Sequence, residues 1–334
     1  MERRFHGLAD IQAALEGLPP ADVDRRAEAK ARNAALTKPP GALGRLEDLA
    51  IWHAGWRSEA RVAAPQVVVF AGNHGVAARG VSAFPQEVTA QMVANFRSGG
   101  AAINQMAALA GATVEVHALD LDRPTADFTA GPAMTPEDLG AAFGTGWASV
   151  SSEADLLVCG EMGIGNTTPA AALAAHLWGG DPRAWVGAGT GVTGDRLASK
   201  QDAVQAGCAR HADAEPLAAL AALGGRELAA IAGAVLRARH QRIPVILDGF
   251  ITCAAASVLE RARPGALDHT VAGHLSEEAG HRRLLEALGK PPLLSLGMRL
   301  GEGTGAALAI QVLRGALACQ TGMASFDEAG VSAR

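Results

Sequence analysis

Six short apolar runs divide the chain, and each ends in or just before a glycine or a polar residue. They lie at 66–71, 112–121, 154–160, 184–187, 243–247 and 292–297. Longer Ala- and Leu-rich segments with helical periodicity lie between them, such as 202–223 and 227–239. This alternation predicts an α/β protein in which a mostly parallel sheet of about six strands is covered on both faces.

The two ends of the chain have a different pattern. The first sixty residues are charged, are helical in pattern over 22–35 and 42–58, and contain no strand-like run. The segment after Gly303 is also helical in pattern. We therefore predict a small helical domain built from residues 1–60 and about 306–334, beside a large α/β domain at 61–305. The Thr-, Gly- and Pro-rich stretch at 124–146 predicts a long surface loop.

Composition restricts the classes of function. The chain has 334 residues, 49% of them hydrophobic and 19% charged, as expected of a globular protein with a sizeable core. The net charge of −5 gives no basic field for nucleic acid. No apolar signal segment opens the chain and no run reaches membrane-spanning length, so we expect neither export nor a membrane anchor. Four widely spaced cysteines without a C-x-x-C pair indicate reduced thiols in the cytoplasm: Cys159, Cys208, Cys253 and Cys319.

A carboxylate lies between glycines near the C-terminus, where residues 300–305 read Leu-Gly-Glu-Gly-Thr-Gly. Glycine allows the backbone a positive φ and a close approach to a ligand. Glu302 is therefore a candidate base acting on a molecule bound against this loop. The alternative is a solvated glutamate in a turn.

Glycine-bearing segments follow most of the predicted strands. In open parallel sheets, ligands bind beyond the carboxyl ends of the strands. We therefore expect these loops to converge on one rim: 72–75, 160–169, 187–191, 248–250 and 299–303.

The loop after the third strand predicts an anion site. Thr167 or Thr168 is a candidate N-cap, with Pro169 as the first helical residue. Free N–H groups at a helix start bind phosphate. Close backbone approach and further donors come from Gly163, Gly165 and Asn166. The alternative is an ordinary capped helix after a glycine turn.

Residues 189–194 match the dinucleotide pattern G-x-G-x-x-G. That pattern belongs in the first βα unit of a fold, so we interpret it as a second phosphate-facing loop. Lys200 is a candidate point charge for the phosphate, or else a solvated helix residue. A nucleotide-dependent oxidoreductase would instead need an acid about 20 residues further on, near Asp213 or Glu215.

Asp248 directly follows an apolar run, where an acid often accepts hydrogen bonds from ribose hydroxyls. Its alternative role is to cap the next helix. His74 lies in a tight loop, and we expect a structural backbone contact rather than a substrate contact. His269, His274 and His281 show no metal-ligand spacing, and we predict no metal.

Taken together, these motifs resemble the nicotinate-nucleotide–dimethylbenzimidazole phosphoribosyltransferase family, which makes the lower-ligand nucleotide of cobalamin. The matching stretches span nearly the whole chain in family order: 38–47, 75–86, 91–92, 161–168, 248–250, 273–274, 276–277, 299–305 and 323–326. The resemblance implies a Rossmann-like three-layer large domain, a small domain from both termini, and a homodimer that acts on small molecules without a cofactor.

The resemblance also implies roles for individual residues. Glu302 is expected to be the general base, Glu161 to border the substrate site, and Asp248 to face the ribose. The nucleotide phosphate is expected near Gly163, Gly165, Asn166, Thr167, Gly187, Gly189, Thr190, Gly191 and Lys200. The benzimidazole is expected near Ser82, Phe84, Gln86 and Leu300. A non-catalytic nucleotide-binding protein, in which Glu302 is only a turn residue, is the alternative from a different class.

Overall fold

The computed structural model describes residues 3–189 and 191–332. Its described strands form one parallel sheet. In chain order they are β1 (Pro65–Ala71), β2 (Thr113–Ala118), β3 (Leu156–Met162), β4 (Val245–Leu247) and β5 (Thr270–Ala272). They lie side by side in the order β2-β1-β3-β4-β5. The predicted parallel α/β architecture is confirmed, with five described strands instead of about six.

Helices connect and cover the strands. Before β3 they are α1 (Leu8–Leu15), α2 (Val23–Ala35), α3 (Arg45–Ala54), α4 (Glu87–Arg97), α5 (Ala102–Ala110) and α6 (Pro136–Ser149). After β3 they are α7 (Thr167–Trp178), α8 (Gly194–Arg210), α9 (Pro216–Leu223), α10 (Arg226–His240), α11 (Phe250–Ala262), α12 (His281–Leu288), α13 (Thr304–Gly322) and α14 (Phe326–Ala329). Short 3-10 turns lie at Gly75–Arg79 and Pro182–Trp185.

Strand β1 shows how the sheet divides the core into two layers. Val68 and Phe70 pack into the cluster formed with α6, α7, α10 and α11. Val67 and Val69 point to the other face and pack with α3, α5 and α13. Because successive side chains of a strand alternate between faces, one fully buried strand supplies both clusters. The predicted three-layer arrangement is confirmed.

Two predicted strands are wrong. The run at 184–187 belongs to a 3-10 turn that buries Trp185. The run at 292–297 forms only an isolated bridge, Leu294 to His274, where it extends the sheet edge just beyond β5. The sequence prediction missed β5 itself because a three-residue strand is too short to show a pattern. The helix predicted at 202–223 is two helices, α8 and α9, since Pro216 starts a new one.

The chain ends meet at α2 and α14. The N–H of Thr37 donates to the carbonyl of Ala324 at 3.0 Å, and Arg32 pairs with Glu328 at 3.1 Å. Helix α1, in contrast, packs on α6 and α9 of the opposite layer. The division into a small helical domain and a large domain stays a prediction. Within the described residues, no helix combines the length and apolar character that a membrane crossing requires.

Candidate active site

A pocket of about 600 Å³, counted out to its open mouth, lies beyond the carboxyl ends of β3 and β4. It contains seven of the residues predicted from the sequence: Glu161, Gly163, Asn166, Thr167, Gly189, Leu300 and Glu302. The loops after β3 and β4 and the segment before α13 therefore converge at this rim, as the strand-end rule predicts.

Glu302 lies in a backbone turn that an ordinary residue rarely adopts. Gly301, Glu302 and Gly303 have φ values of 80°, 64° and 90°, so a non-glycine residue occupies the left-handed region between two glycines. Such a conformation costs about 1–3 kcal/mol and persists where surrounding structure fixes it. The turn directs the glutamate into the pocket instead of along helix α13, which starts at Thr304.

The carboxylate of Glu302 is poised to exchange a proton. The residue is only 5% exposed, and Oε2 accepts no hydrogen bond from the described residues. Burial, followed by the negative charge of Asp248, raises the pKa of Glu302 to about 7. A carboxylate with this pKa is half ionised near neutral pH, which suits a general base.

Glu161, near the end of β3, is the second carboxyl group of the pocket. It accepts hydrogen bonds from Asn166 Nδ2 and, at 3.4 Å, from the backbone N–H of Glu302. Burial, aided by the charges of Asp248 and Glu227, raises the pKa of Glu161 to about 8.

Asp248 lies behind the pocket instead of on its surface. The residue is 1% exposed, and both carboxylate oxygens accept backbone hydrogen bonds, from Gly303 at 3.1 Å and Ala306 at 2.9 Å. This geometry corrects the prediction that Asp248 faces the ribose. A capping role agrees with it, but the helix capped is α13 and not the next helix, α11.

Lys200, on α8, lies next to Thr167, which lines the pocket. Its Nζ donates to Thr167 Oγ1 and to the carbonyl of Gly187, both at 2.8 Å. Burial lowers the pKa of Lys200 to about 8. Lys200 is 1% exposed, so the alternative of a solvated helix residue is wrong.

The start of α7 differs in detail from the prediction. Asn166 is the N-cap, Thr167 the first helical residue and Pro169 the third. The N–H groups of Asn166 and Thr168 are used in turn bonds to Gly163 and Gly165. The groups left to bind an anion here are mainly the Thr167 hydroxyl and Lys200, and we call this pair the phosphate cradle.

Of the described residues of the second glycine loop, at 187–191, only Gly189 lines the pocket. A Cβ on Gly189 would lie 2.9 Å from Thr167 Oγ1 and 3.1 Å from Lys200 Nζ, so this glycine touches the cradle. Gly187 packs against Glu278. Gly191 and Gly165 do not line the pocket, and Thr190 lies outside the described residues. A 3-10 turn precedes this loop in place of the strand that the dinucleotide pattern requires.

The segment predicted to meet the benzimidazole flanks the pocket without lining it. Gln86 Nε2 donates to the carbonyl of His74, and Ser82 Oγ accepts from the N–H of Phe84 at 3.3 Å. Thr89, just beyond, accepts from the N–H of Ile164 at 3.2 Å and ties the segment to the loop after β3. Phe84 is 51% exposed, and Leu300, which lines the pocket, is 57% exposed.

His74 is structural, as expected, but through its side chain as well as its carbonyl. Its ring nitrogen lies 2.7 Å from the carboxylate of Glu227 at the start of α10, and both side chains are buried. The ring packs beneath Gly163, whose Cβ would lie 3.1 Å from Nε2. The pair supports the floor of the loop after β3.

Sequence reasoning gave no individual role to Phe250 and Arg299, which lie in loops predicted to reach the rim, and did not expect Ile251, Ser276 or Glu278 there. Ser276 and Glu278 follow β5 closely, so predicting that strand would have placed them on the rim. Glu278 carries a buried Oε2 that has no hydrogen-bond partner among the described residues.

Fold and site together define a parallel α/β protein with a strand-end pocket that holds the buried carboxylate of Glu302 and is lined by Thr167, whose hydroxyl accepts from Lys200. A family model described as "Phosphoribosyltransferase" matches residues 18–331, and the chain belongs to this family. Two relatives are named nicotinate-nucleotide–dimethylbenzimidazole phosphoribosyltransferase. That of Ruegeria sp. (strain TM1040) is 64% identical and 97% of each chain is covered. That of Mesorhizobium japonicum is 57% identical, covering 98% of this chain and 99% of the relative.

A solved structure agrees with this assignment. The chain is similar to the crystal structure of the nicotinate-nucleotide–dimethylbenzimidazole phosphoribosyltransferase from Thermus thermophilus. The TM-score is 0.87 at 44% sequence identity, and the match covers 94% of this chain and 100% of that one.

Proposed function

We propose that the protein transfers the phosphoribosyl group of nicotinate mononucleotide to 5,6-dimethylbenzimidazole, giving α-ribazole 5′-phosphate and nicotinate for the nucleotide loop of cobalamin. The observation that carries the proposal is the buried carboxylate of Glu302, whose Oε2 has no hydrogen-bond partner among the described residues, in a pocket also lined by Thr167, to which Lys200 donates. The names of relatives about 60% identical over nearly the whole chain support the choice of substrates.

The chemistry requires one positioned base. In nicotinate mononucleotide the nicotinate is a pyridinium, already a cationic leaving group. A benzimidazole nitrogen attacks C1′ from the opposite face, the C1′–N bond to nicotinate breaks, and an α-ribotide forms. The proton on the other ring nitrogen becomes acidic as the new bond forms, and Glu302 takes it. General-base catalysis of this kind contributes about 10²–10⁴-fold.

The remaining groups orient the two substrates. Lys200 and the Thr167 hydroxyl are suited to bind the phosphate as an ammonium and a neutral donor. Leu300 and the segment carrying Ser82, Phe84 and Gln86 are suited to hold the apolar ring of the acceptor. Fixing both reactants in one crevice accelerates the reaction through orientation.

We also propose that the protein works as a homodimer in the cytoplasm. The exposed apolar side chains of Phe84, Leu296 and Leu300, of which Leu300 lines the pocket, offer surface for a second copy to cover. The four cysteines are unpaired, in keeping with a reducing compartment.

Product analysis tests the proposed reaction. Nicotinate mononucleotide is incubated with the protein and with benzimidazole, dimethylbenzimidazole or adenine. The products are then separated by chromatography and are identified and quantified by mass spectrometry. We expect α-ribotide and nicotinate in equal amounts with dimethylbenzimidazole. If the mononucleotide raises the melting temperature but no base yields a ribotide, the protein is a nucleotide-binding protein instead.

A further inference from the structure

We propose that Asp248 is a positioning residue for the base: its buried carboxylate holds the turn that carries Glu302 and places a negative charge behind it. The inference rests on the proposed role of Glu302. It adds a residue that touches no substrate and acts through its contacts with the turn.

Asp248 supplies the cap that helix α13 lacks. Gly303 occupies the N-cap position and has no side chain to accept from the first turn. Asp248, on the strand β4 side, accepts instead from Gly303 and Ala306, the N–H groups on either side of the first helical residues. A carboxylate at this position also interacts favourably with the helix dipole. The two bonds fix both the helix start and the end of the left-handed turn.

A histidine holds Asp248 from the other side. His274 Nε2 lies 3.5 Å from Asp248 Oδ1, and both side chains are 1% exposed. The imidazole packs directly on Gly305, where a Cβ would lie 2.1 Å from Cδ2. Asp248 is thus held between β5 and α13 and cannot move without displacing the turn.

The charge of Asp248 bears on the base directly. Burial opposes its ionisation, but His274 and the two backbone donors outweigh burial and lower the pKa of Asp248. The resulting charge, after burial, is the second cause that raises the pKa of Glu302. It thereby brings the proton affinity of the base close to neutral pH.

Other titratable groups surround this pair on every packed element. They are Glu161 on β3, Glu227 on α10, Cys253 on α11, His274 after β5, His281 on α12, and Glu278 and Arg299 in the pocket. Of these, burial holds the thiol of Cys253 and the imidazole of His281 neutral at pH 7, because their pKa values are strongly raised and lowered respectively. Among the causes that shift the pKa of Glu302, Asp248 is the only charge.

The test is the pH dependence of kcat/KM for Asp248→Asn. Removing the charge lowers the pKa of Glu302. The acid limb of the profile, where kcat/KM falls as Glu302 becomes protonated, lies near pH 7 in the wild type and should move to lower pH. The amide also turns an N–H toward a backbone donor and loosens the turn, so the plateau kcat should fall about 10–10²-fold, as for a catalytic group displaced by an ångström. Titrations of the substrates are common to all variants and cancel in the comparison.

His274→Gln is the matched control. It removes one support of Asp248 and leaves its two backbone donors, so kcat should fall about tenfold, a smaller displacement of the same kind, and the acid limb should move less than in Asp248→Asn. A folded Asp248→Asn protein with wild-type kcat and an unshifted limb would overturn the inference. If Asp248→Asn does not fold, wild-type kcat in folded His274→Gln overturns it.

Failure of the proposed function would look different. If the acid limb of the wild type persists in Glu302→Gln, the limb does not belong to Glu302, and the role of the base itself is wrong. If the limb disappears in Glu302→Gln but is the same in Asp248→Asn and the wild type, only the role of Asp248 is wrong.

Discussion

Gly160, in strand β3, lies directly beneath the backbone carbonyl of Glu302. A Cβ at this position would come 2.1 Å from the carbonyl oxygen and 2.5 Å from the carbonyl carbon. Real Cβ atoms do not approach backbone this closely, so the turn that carries Glu302 rests on a strand position that tolerates only glycine.

Gly160→Ala should therefore displace the turn. We expect kcat to fall about 10²-fold, because shifts near 1 Å have effects of this size, and the protein to lose about 1–3 kcal/mol of stability from overpacking. Steady-state kinetics and thermal unfolding measure the two effects.

Gly315→Ala is the control for the same kind of substitution. Gly315 lies inside helix α13, where a Cβ would meet nothing within 4 Å. Alanine there should stabilise the helix by about 0.5–1 kcal/mol and leave kcat unchanged. Wild-type kcat in folded Gly160→Ala would show that the turn does not depend on this contact.

Gly189 tests the phosphate cradle. Gly189→Ala places a Cβ against Thr167 Oγ1 and Lys200 Nζ, so the KM for nicotinate mononucleotide should rise about tenfold, near the cost of one disturbed hydrogen bond to a charged group. Gly194 has nearly the same φ, 56° against 53°, but open space around it. Equal effects of Gly189→Ala and Gly194→Ala on KM would indicate backbone strain and count against the cradle.

Lys200 predicts a pH dependence for nucleotide binding. Because burial lowers the pKa of Lys200 to about 8, the ammonium loses its proton as the pH rises through 8, and the KM for the mononucleotide should increase. Lys200→Met should raise KM about 10–10²-fold at pH 7, as expected for losing a charged hydrogen bond, and should abolish the increase between pH 7 and 9. A wild-type KM that is flat across this range contradicts the assignment.

The proposed dimer predicts the mass in solution. Light scattering at micromolar concentration should give about twice the 34.0 kDa of one chain. The polar replacement Leu296→Ser, on an exposed apolar side chain, should weaken association. A monomer at this concentration contradicts the proposal.

The sheet could be predicted where strands are long and apolar, as at β1 and β3. Strand β5 has three residues, and its identity depends on pairing with β4, which no local pattern reveals. The surface loop predicted at 124–146 is wrong in its second half, where helix α6 begins at Pro136. Its glycines allow close packing: a Cβ on Gly146 would lie 1.8 Å from the carbonyl of Ala230 in α10, and one on Gly140 would lie 2.6 Å from the carbonyl of Phe5.

The candidate site was predictable as a set of loops but not as contacts. The end of β3 correctly placed Glu161 on the rim, and Glu302 lies there too although the run predicted as the strand before it forms only an isolated bridge. The sequence could not show that Asp248 turns inward to α13, because its partners lie 55 and 58 residues further along the chain. Nor could it show that Thr167 and Lys200 meet, since their contact joins separate helices.

Glu302→Gln separates a catalytic role of this residue from a structural one. A carboxyl group whose pKa is raised on folding binds protons more tightly in the folded state, so it stabilises the protein at low pH and this contribution is lost as the pH rises through 7. The neutral amide avoids that loss, and the melting temperature of Glu302→Gln at pH 8 should equal or exceed that of the wild type. A structural role predicts a lower melting temperature with near-normal activity per folded molecule.

The most direct test of the account is kcat of Glu302→Gln with nicotinate mononucleotide and dimethylbenzimidazole at pH 8, with nucleotide affinity measured by calorimetry on the same preparation. Glutamine keeps the size of glutamate but cannot accept the proton. We expect near-normal nucleotide binding and a kcat lower by about 10²–10⁴-fold, the general-base range. Retention of more than about a tenth of wild-type kcat, well above that range, would contradict the assignment of Glu302 as the base.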